Sequence, residues 1–350
     1  MKRLVKVKNV NIGGGADISV QSMTNTPTSD VGATLSQIDN LYKAGCDLVR
    51  VSVPDEASAL AIAQIVKESP IPVIGDFHFS IKLAIMCAKY GIHKVRINPA
   101  NIGDKSNLRD LIKVCNEHQT PIRIGVNSGS IHPEYKHLPF AEALANSAHD
   151  YEKLFLDEGF TALVLSVKSS NVLTMIDAYR MLDKMSDSPL HLGVTEAGTY
   201  ENGIIKSALG IGTLLSNGIG DTIRVSLTTD DLCDEVRVGK KILHNLGLKK
   251  KMVDVVCCPT CARTCIDVKK LADLVEKATA NIERDMKIAV MGCVVNGIGE
   301  SEDADLGIAG GREKSVIISK GKILETTDND KIVDCFMAHL NKIITNNAVN

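Results

Sequence analysis

Five of the ten cysteines lie together in the last third of the chain, where their spacing could hold a metal. Four of them fall within the segment Cys257-Cys-Pro-Thr-Cys-Ala-Arg-Thr-Cys265, and the fifth is Cys293. A Cys-x-x-Cys pair with a distant third cysteine is a metal-binding pattern of moderate strength. From spacing alone an iron–sulfur cluster and a tetrahedral zinc ion fit about equally well, and a redox-active Cys-x-x-Cys pair is a further alternative.

The other five cysteines occupy apolar, helix-like segments, and we interpret them as small buried hydrophobic residues. The amino-terminal segment lacks the apolar core of a signal peptide, and no stretch reaches the ~18 apolar residues of a membrane span. We therefore expect a cytoplasmic protein without a disulfide framework. The net charge of −2 provides no overall basic field for nucleic acid. The five cysteines in the apolar, helix-like segments are Cys46, Cys87, Cys115, Cys233 and Cys335.

Cations at alternate positions of β-branched runs form the second group with chemical potential. Examples are Arg96-Ile-Asn98 and Arg123-Ile-Gly-Val-Asn127, in which the polar residues share one face of a strand. Buried cations without partners would cost several kcal/mol each, so they require an anion that arrives with the substrate. Five such cations exceed the need of one monophosphate, and we predict a diphosphate or other polyanion. The five cations are Arg50, Arg96, Arg123, Lys168 and Arg224.

Two further residues could do acid–base chemistry, and one of the five cations could do covalent chemistry. Glu196, in Thr195-Glu-Ala-Gly198, is the best candidate for proton transfer or for holding a substrate hydroxyl, and His78 is a second. Lys168 could form a Schiff base in a zinc-stabilised lyase or aldolase. A non-enzymatic iron–sulfur carrier is a third hypothesis, although a carrier needs no polyanion pocket.

The elements that must position these residues alternate regularly between strand-like runs and helical segments. Eight such units over ~250 residues predict a (β/α)8 TIM barrel, whose active site lies at the carboxyl ends of the strands. An open doubly wound sheet is the alternative, but Gly13-Gly14-Gly15 precedes the first strand instead of following it. The runs are 17–23, 48–54, 72–78, 94–99, 121–127, 161–168, 190–196 and 221–228.

A small α/β iron–sulfur domain is expected to follow the barrel. The predicted elements are a helix over 268–282, a strand over 287–291, a hairpin over 315–324 and a closing helix over 331–344. We therefore expect a substrate-binding barrel over residues 1–250 and a cluster-binding domain over 255–350.

At this level of detail the chain resembles the 4-hydroxy-3-methylbut-2-en-1-yl diphosphate synthase family of the non-mevalonate isoprenoid pathway, in its shorter bacterial form. The resemblance implies reductive ring opening and dehydration of 2-C-methyl-D-erythritol 2,4-cyclodiphosphate, with a [4Fe–4S] cluster and two electrons from flavodoxin or ferredoxin. It covers nearly the whole chain. The motifs that carry it include Val20-Gln-Ser-Met-Thr-Asn25, Val49-Arg-Val-Ser-Val-Pro54, Arg96-Ile-Asn-Pro99, Leu190-His-Leu-Gly-Val-Thr-Glu-Ala-Gly198, Cys258-Pro-Thr-Cys261 and Met291-Gly-Cys-Val-Val-Asn-Gly297.

The resemblance also implies roles for individual residues. The cluster ligands would be Cys258, Cys261, Cys293 and, as a displaceable fourth ligand on a loop, Glu300, while Cys257 and Cys265 would be bystanders. The family usually reads Asn-Gly-Pro-Gly-Glu where this chain has Ile298, so a fixed φ before the fourth ligand is lost. The implied substrate-binding and catalytic residues, with Asn98 added by the alternation, are Arg50, Asp76, His78, Arg96, Asn98, Arg123, Asn127, Lys168, Thr195, Glu196, Arg224, Ser226 and Asn296.

The order of the two domains predicts a head-to-tail homodimer. Barrel helices run antiparallel to the strands, so the eighth helix, at about 230–245, ends at the face opposite the active site. The second domain would therefore start at the wrong end of its own barrel. Placing it over the barrel of a partner chain, with two-fold closure, is the simpler solution, and the family resemblance implies the same arrangement.

Overall fold

The computed structural model describes residues 1–78, 80–101, 105–249, 252–280, 282 and 284–346. It divides into two compact units, Met1–Leu248 and Lys249–Asn350. None of the described helices combines the length and the apolar character that crossing a bilayer requires.

The first unit starts with a hairpin of β1 (Val5–Val7) and β2 (Val10–Ile12) and continues with eight strand–helix repeats. The strands of the repeats are β3 (Ser19–Met23), β4 (Leu48–Ser52), β5 (Val73–Phe77), β6 (Lys94–Ile97), β7 (Ile122–Val126), β8 (Leu163–Val167), β9 (His191–Leu192) and β10 (Thr222–Ile223). The helices are α1 (Val31–Lys43), α2 (Glu56–Glu68), α3 (Ile81–Lys89), α4 (Lys105–Glu117), α5 (Phe140–Asp157), α6 (Val172–Met185), α7 (Tyr200–Ser216) and α8 (Cys233–Asn245).

The eight strands form one parallel sheet that closes into a barrel. Each strand from β3 to β8 pairs with the next, β10 pairs with both β3 and β9, and a bridge between Leu165 and Leu190 joins β8 to the segment of β9. The predicted TIM barrel is confirmed, and the doubly wound alternative is wrong. The last two strands are shorter than predicted, because the chain leaves the regular ladder after Leu192 and Ile223.

Side-chain alternation divides each barrel strand between two environments. Outward residues such as Val49 and Val51 belong to the large core beneath the helices. At the bottom of the lumen, Leu48 packs in a separate apolar cluster with the amino-terminal hairpin. That hairpin, which the sequence did not predict, therefore plugs the bottom of the barrel and leaves the polar lumen facing the mouth. The plug residues are Val5, Val7 and Ile12, which pack with Leu48, Ile74 and Val164.

The second unit is a five-stranded sheet with three helices. The sheet order is β11-β12-β13-β14-β15; the first three strands are parallel and the last three antiparallel. The strands are β11 (Val253–Cys257), β12 (Met286–Met291), β13 (Leu306–Ala309), β14 (Lys314–Ser319) and β15 (Lys322–Asp328). The helices are α9 (Val268–Thr279), α10 (Val294–Glu300) and α11 (Ile332–Asn346).

Two features of the second unit differ from the sequence-based expectation. Strand β13 was not predicted, and Glu300 lies at the end of helix α10 instead of in a loop. Gly297 and Gly299 favour a loop by propensity. Packing overrides that preference, since a Cβ on Gly297 would lie 2.7 Å from the Cβ of Ala309, so the glycine lets α10 lie against β13.

Candidate functional site

Neighbouring strands of the barrel place four cations inside the lumen. Arg50 of β4, Lys94 and Arg96 of β6 and Arg123 of β7 are all buried, and Lys94 and Arg123 have no measurable exposure. Lys94 lies two residues before Arg96, so strand alternation puts both on the lumen face. The two-residue spacing from Arg96 could have predicted this position of Lys94 from the sequence, although Lys94 was not among the predicted site residues.

Asp76 of β5 is the carboxylate around which two of these arginines assemble. Its Oδ1 lies 2.9 Å from Arg96 Nη1 and its Oδ2 lies 3.5 Å from Arg50 Nε. His78 Nε2 lies 3.4 Å from the same carboxylate and 3.1 Å from Arg96 Nη1. Burial acts to raise the pKa of Asp76, but the hydrogen bond with His78 and the two guanidinium groups hold it well below its ordinary value.

Many donors of the lumen cations have no hydrogen-bond partner among the described residues. Burial, reinforced by neighbouring positive charge, lowers the pKa of Lys94 and of Arg123 well below their ordinary values. One carboxylate cannot neutralise this group, so the pocket is complementary to an anion. The unpartnered atoms are Arg50 Nη1, Lys94 Nζ, Arg96 Nε and all three guanidinium nitrogens of Arg123.

Glycine makes room for one of the arginines. A Cβ on Gly125 of β7 would lie 2.9 Å from Arg96 Nε and 3.3 Å from Ser166 Oγ. The absence of a side chain at this position therefore lets the Arg96 guanidinium cross in front of the neighbouring strand.

The fourth predicted arginine, Arg224, is paired with a carboxylate that was not among the predicted site residues. Arg224 Nη2 lies 3.1 Å from Glu235 Oε1, and Glu235 also accepts a hydrogen bond of 2.9 Å from Ser22 Oγ. Glu235 is 1% exposed. Glu235 of α8 is therefore a second carboxylate, besides Asp76, that compensates a barrel cation. No local pattern marks a glutamate in the first turn of a helix as an inward-facing ligand.

Lys168, Thr195, Arg224 and Ser226 line one small cavity at the mouth of the barrel together with His191. Burial, together with Arg50 and Arg123, lowers the pKa of Lys168 well below its ordinary value. Burial and the positive charge of Arg123 also lower the pKa of His191, which was not among the predicted site residues. A bound anion would return both groups toward their charged forms.

The remaining predicted barrel residues surround the same mouth in different environments. Asn98 is buried and its Oδ1 accepts a hydrogen bond of 3.2 Å from the Ala100 amide. Asn127 accepts a hydrogen bond of 2.7 Å from Ser130 Oγ. Glu196 is exposed at φ 52°, a left-handed conformation that turns the chain after β9.

In the second unit the predicted cysteines gather at one edge of the sheet. Parallel strands β11 and β12 pair Cys257 with Val290, so Cys258 and Cys293 follow adjacent strand ends. The amide of Gly292 donates a hydrogen bond of 3.1 Å to Cys258 Sγ. Backbone amides that donate to cysteine sulfur are among the interactions that stabilise iron–sulfur clusters. The pairing of the two strands therefore brings distant cysteines of the sequence together.

Cys261 and Cys265 lie in the loop beside these strand ends. The Cys261 amide donates a hydrogen bond of 3.0 Å to Thr264 Oγ1, and the hydrogen bond from the backbone of Arg263 lowers the pKa of the Cys261 thiol. Cys265 and Cys293 both line a cavity of 530 Å³. This open cavity has room for a group larger than a single ion, although Cys258 and Cys261 are not among its lining residues.

Glu300 lies at the far end of the short helix that Cys293 caps. Seven residues make almost two complete helical turns, so the two positions share one side of α10, about 10 Å apart along its axis. Glu300 is exposed. The side chain of Asn296 in α10 is outside the described part of the structure.

Comparison with known proteins matches both units to one family. Residues 2–240 match the GcpE TIM-barrel domain, and residues 254–342 match the GcpE protein C-terminal domain. The chain is 49% identical to 4-hydroxy-3-methylbut-2-en-1-yl diphosphate synthase (flavodoxin) of Caldanaerobacter subterraneus over 98% of both chains. It is 48% identical to the protein of the same name from Clostridium acetobutylicum, over 97% of this chain and 98% of that protein.

One solved structure is similar in fold over part of this chain. Dihydropteroate synthase of Yersinia pestis superposes with a TM-score of 0.53 at 11% identity, over 71% of this chain and 100% of that chain. At this identity the likeness concerns only the fold.

Proposed function

Because this chain belongs to the GcpE family, we propose that it is a reductase that converts 2-C-methyl-D-erythritol 2,4-cyclodiphosphate to 4-hydroxy-3-methylbut-2-enyl diphosphate with electrons from flavodoxin. The reaction consumes two electrons, opens the C–O bond between the ring carbon and phosphate, and releases one hydroxyl as water. We therefore prefer an oxidoreductase to the zinc-stabilised lyase or aldolase and to the non-enzymatic iron–sulfur carrier.

The observation that carries this proposal is the set of buried, unpartnered cations in the barrel lumen. Arg123 and Lys94 have no measurable exposure, and their charged nitrogens have no partner among the described residues. A diphosphate brings the negative charge and the oxygen acceptors that this pocket needs. Arg50, Arg96 and Lys168 complete the positive surface around it. We therefore assign substrate binding to the first unit.

The second unit fits an iron–sulfur cluster. Cys258, Cys261 and Cys293 are free thiols, one of which already accepts an amide hydrogen bond from Gly292. We assign these three cysteines as ligands of a [4Fe–4S] cluster, with Glu300 as the fourth. Held by these residues, a cluster would supply the electrons for the reduction one at a time.

The barrel residues then have separate tasks. Asp76 holds Arg50 and Arg96 in place, so the guanidinium groups are already arranged before the diphosphate arrives. Thr195 and His78, with Asn98, Asn127, Ser226 and Asn296, are assigned to positioning the substrate. Glu196 is the residue that we assign to hold the departing hydroxyl and to give it a proton.

Anaerobic assay of the cluster-loaded enzyme tests the function. The protein is purified without oxygen, its iron, sulfide and zinc are counted, and turnover of the cyclic diphosphate is measured with reduced flavodoxin. We expect a brown protein with about four iron atoms per chain and product formation that requires both the donor and the substrate. A zinc-containing protein to which borohydride reduction covalently attaches the substrate would instead support a Schiff base at Lys168.

The depressed pKa of Lys168 predicts the direction of pH dependence in substrate binding. The bound diphosphate should raise that pKa toward its ordinary value of 10.5, so binding takes up protons between the lowered and the ordinary value. Affinity must therefore fall as the pH rises through this window, by up to about tenfold per pH unit for one proton. Calorimetry on the oxidised holoenzyme between about pH 7 and pH 9 measures this slope. Lys168→Arg, whose charge does not titrate there, should flatten it; an equally steep slope in that variant would assign the protons elsewhere.

We also propose a head-to-tail homodimer in which each cluster-binding unit serves the partner's barrel. Helix α8 runs about 20 Å antiparallel to the strands, which takes Asn245 to the end of the barrel away from the mouth. Large apolar side chains on the outside of α6 and α7, namely Leu173, Ile205 and Leu209, are exposed by 72%, 58% and 56% and provide apolar surface for a partner.

Mixed dimers test this arrangement. A heterodimer of a Glu196→Ala chain and a Cys293→Ser chain retains one intact barrel and one intact cluster on different chains. Its activity should be about half that of the wild-type dimer, because one of two sites is complete. Differential tags allow purification of the heterodimer before the assay. The control dimer carries both substitutions on one chain and none on the other, and should be inactive; activity in the control but not in the mixed dimer would mean that each chain acts alone.

A further inference from the structure

The second unit contains a compact group of potential metal ligands away from the cysteine segment. Glu325 of β15 and Cys335 and His339 of α11 each place one ligand atom within 4.8 Å of the other two. Strand β15 is the far edge of the sheet from β11, so four strand spacings, about 19 Å, separate this group from the loop that follows β11. No role was predicted for any of the three, and Cys335 had been expected to be buried.

The fold brings the three side chains together from two elements. Cys335 and His339 are four residues apart and therefore share one face of α11. Glu325 and Thr327 lie on the same face of β15, and Thr327 is buried. Residues of α11 pack on β13, β14 and β15, which aims the helix face with Cys335 at the outer strand. The grouping is thus a product of packing and not of a sequence motif.

The geometry is close to that of a metal site with one coordination position open. His339 Nε2 lies 2.9 Å from Glu325 Oε2. Bonds of about 2.0–2.3 Å around tetrahedral zinc would set ligand atoms about 3.3–3.8 Å apart. Side-chain rotations that move these atoms by about 1 Å would change the hydrogen-bonded arrangement into one that coordinates zinc. The side chains of His339 and Glu325 are 18% and 51% exposed, so an ion can enter from solvent.

Other uses of this group fit less well. An exposed His–Glu pair contributes little to stability and does not require a thiol beside it. Burial and the neighbouring Glu325 raise the pKa of Cys335, which makes the thiol a poor nucleophile and a poor redox sensor. A bound cation would remove this penalty, because a coordinated thiol is deprotonated. Mixed nitrogen, sulfur and oxygen donors favour zinc over magnesium or calcium.

We propose that Glu325, Cys335 and His339 form a binding site for a divalent transition-metal ion of the zinc class, with water as the fourth ligand. The ion fastens α11 to β15, which is the outermost strand of the sheet in the part of the chain that the structure describes. This site is independent of the assigned reaction and of the cysteines near β11 and β12.

Zinc titration of the cluster-loaded protein tests the site. Under anaerobic conditions, protein with its full iron content is dialysed against zinc sulfate, and bound zinc is counted by mass spectrometry. We expect one zinc per chain in addition to the iron, and X-ray absorption with one sulfur and otherwise nitrogen and oxygen neighbours. Cys335→Ser and His339→Ala should each weaken zinc binding by at least about tenfold, and Glu325→Gln, which can keep the hydrogen bond to His339, should also weaken it.

Two comparisons keep the result interpretable. Cys233→Ser changes another partly exposed thiol in the first unit and should leave zinc binding unchanged. The iron content must match that of the wild type in every variant, which excludes zinc that has replaced iron at the cluster cysteines. Binding of equal strength in Cys335→Ser, Glu325→Gln and wild type, or no zinc retained by the iron-loaded wild type, would overturn the proposal. If the wild-type protein binds zinc but does not convert the substrate, the assigned reaction is wrong and the metal site is supported.

Discussion

Replacing Cys258 by serine is expected to remove the cluster and to reduce turnover at least about 1000-fold, or about 4 kcal/mol in the barrier. Serine is a hard oxygen donor that stays protonated at neutral pH, whereas iron in these clusters is held by soft thiolates. The Gly292 amide already donates a hydrogen bond to the sulfur of Cys258, so this residue has a defined place beside the ends of β11 and β12. Iron and sulfide content, visible absorbance and turnover with reduced flavodoxin measure the effect.

The adjacent residue provides a matched control. Cys257 is the exposed last residue of β11 and has no assigned role in the site. Cys257→Ser should keep wild-type iron content and turnover, although it makes the same chemical change one residue earlier. Circular dichroism of both variants confirms that the second unit is folded. Equal losses in the two variants, or an active Cys258→Ser enzyme with full iron, would show that the ligand assignment is wrong.

The second large effect concerns one buried and one partly buried arginine, Arg123 and Arg224, whose removal should change stability in opposite directions. Arg123→Met removes a guanidinium with three unpartnered nitrogens, so the substrate-free protein should become more stable by about 1–3 kcal/mol. Arg224→Met leaves the buried Glu235 without its cation and should cost about 2–3 kcal/mol. Both variants should lose at least about 100-fold in kcat/KM, because each takes a charge from the assigned diphosphate pocket.

Urea unfolding of the holoenzyme, with and without pyrophosphate, separates these contributions. Pyrophosphate should raise the midpoint of the wild type by mass action and should raise that of Arg123→Met much less. Arg109→Met is the control: Arg109 is a surface residue of α4 paired with Glu158, and its loss should change stability by less than about 0.5 kcal/mol. Destabilisation by Arg123→Met would mean that its charge is already compensated in the free protein.

The sequence alone predicted which barrel residues face one another. Strand periodicity places Arg96 and Arg123 on the face opposite to Val95 and Ile124, whatever the rest of the fold does. The parallel topology then collects the lumen faces of eight strands in one place. The same reasoning covered Asp76 and extends to Lys94, which was overlooked. Cys258 and Cys293 were predictable as a pair because both follow short apolar runs that become parallel neighbours.

Only the tertiary structure decided the contacts that depend on packing between distant segments. Glu235 reaches Arg224 and Ser22 because α8 lies against β3, and that pairing joins residues 213 positions apart in the case of Ser22. The hairpin that plugs the barrel, the helical conformation of Gly297-Ile-Gly299 and the group around Cys335 arise in the same way. Local preference is weak in these segments, and the free energy of burying one surface against another determines their structure.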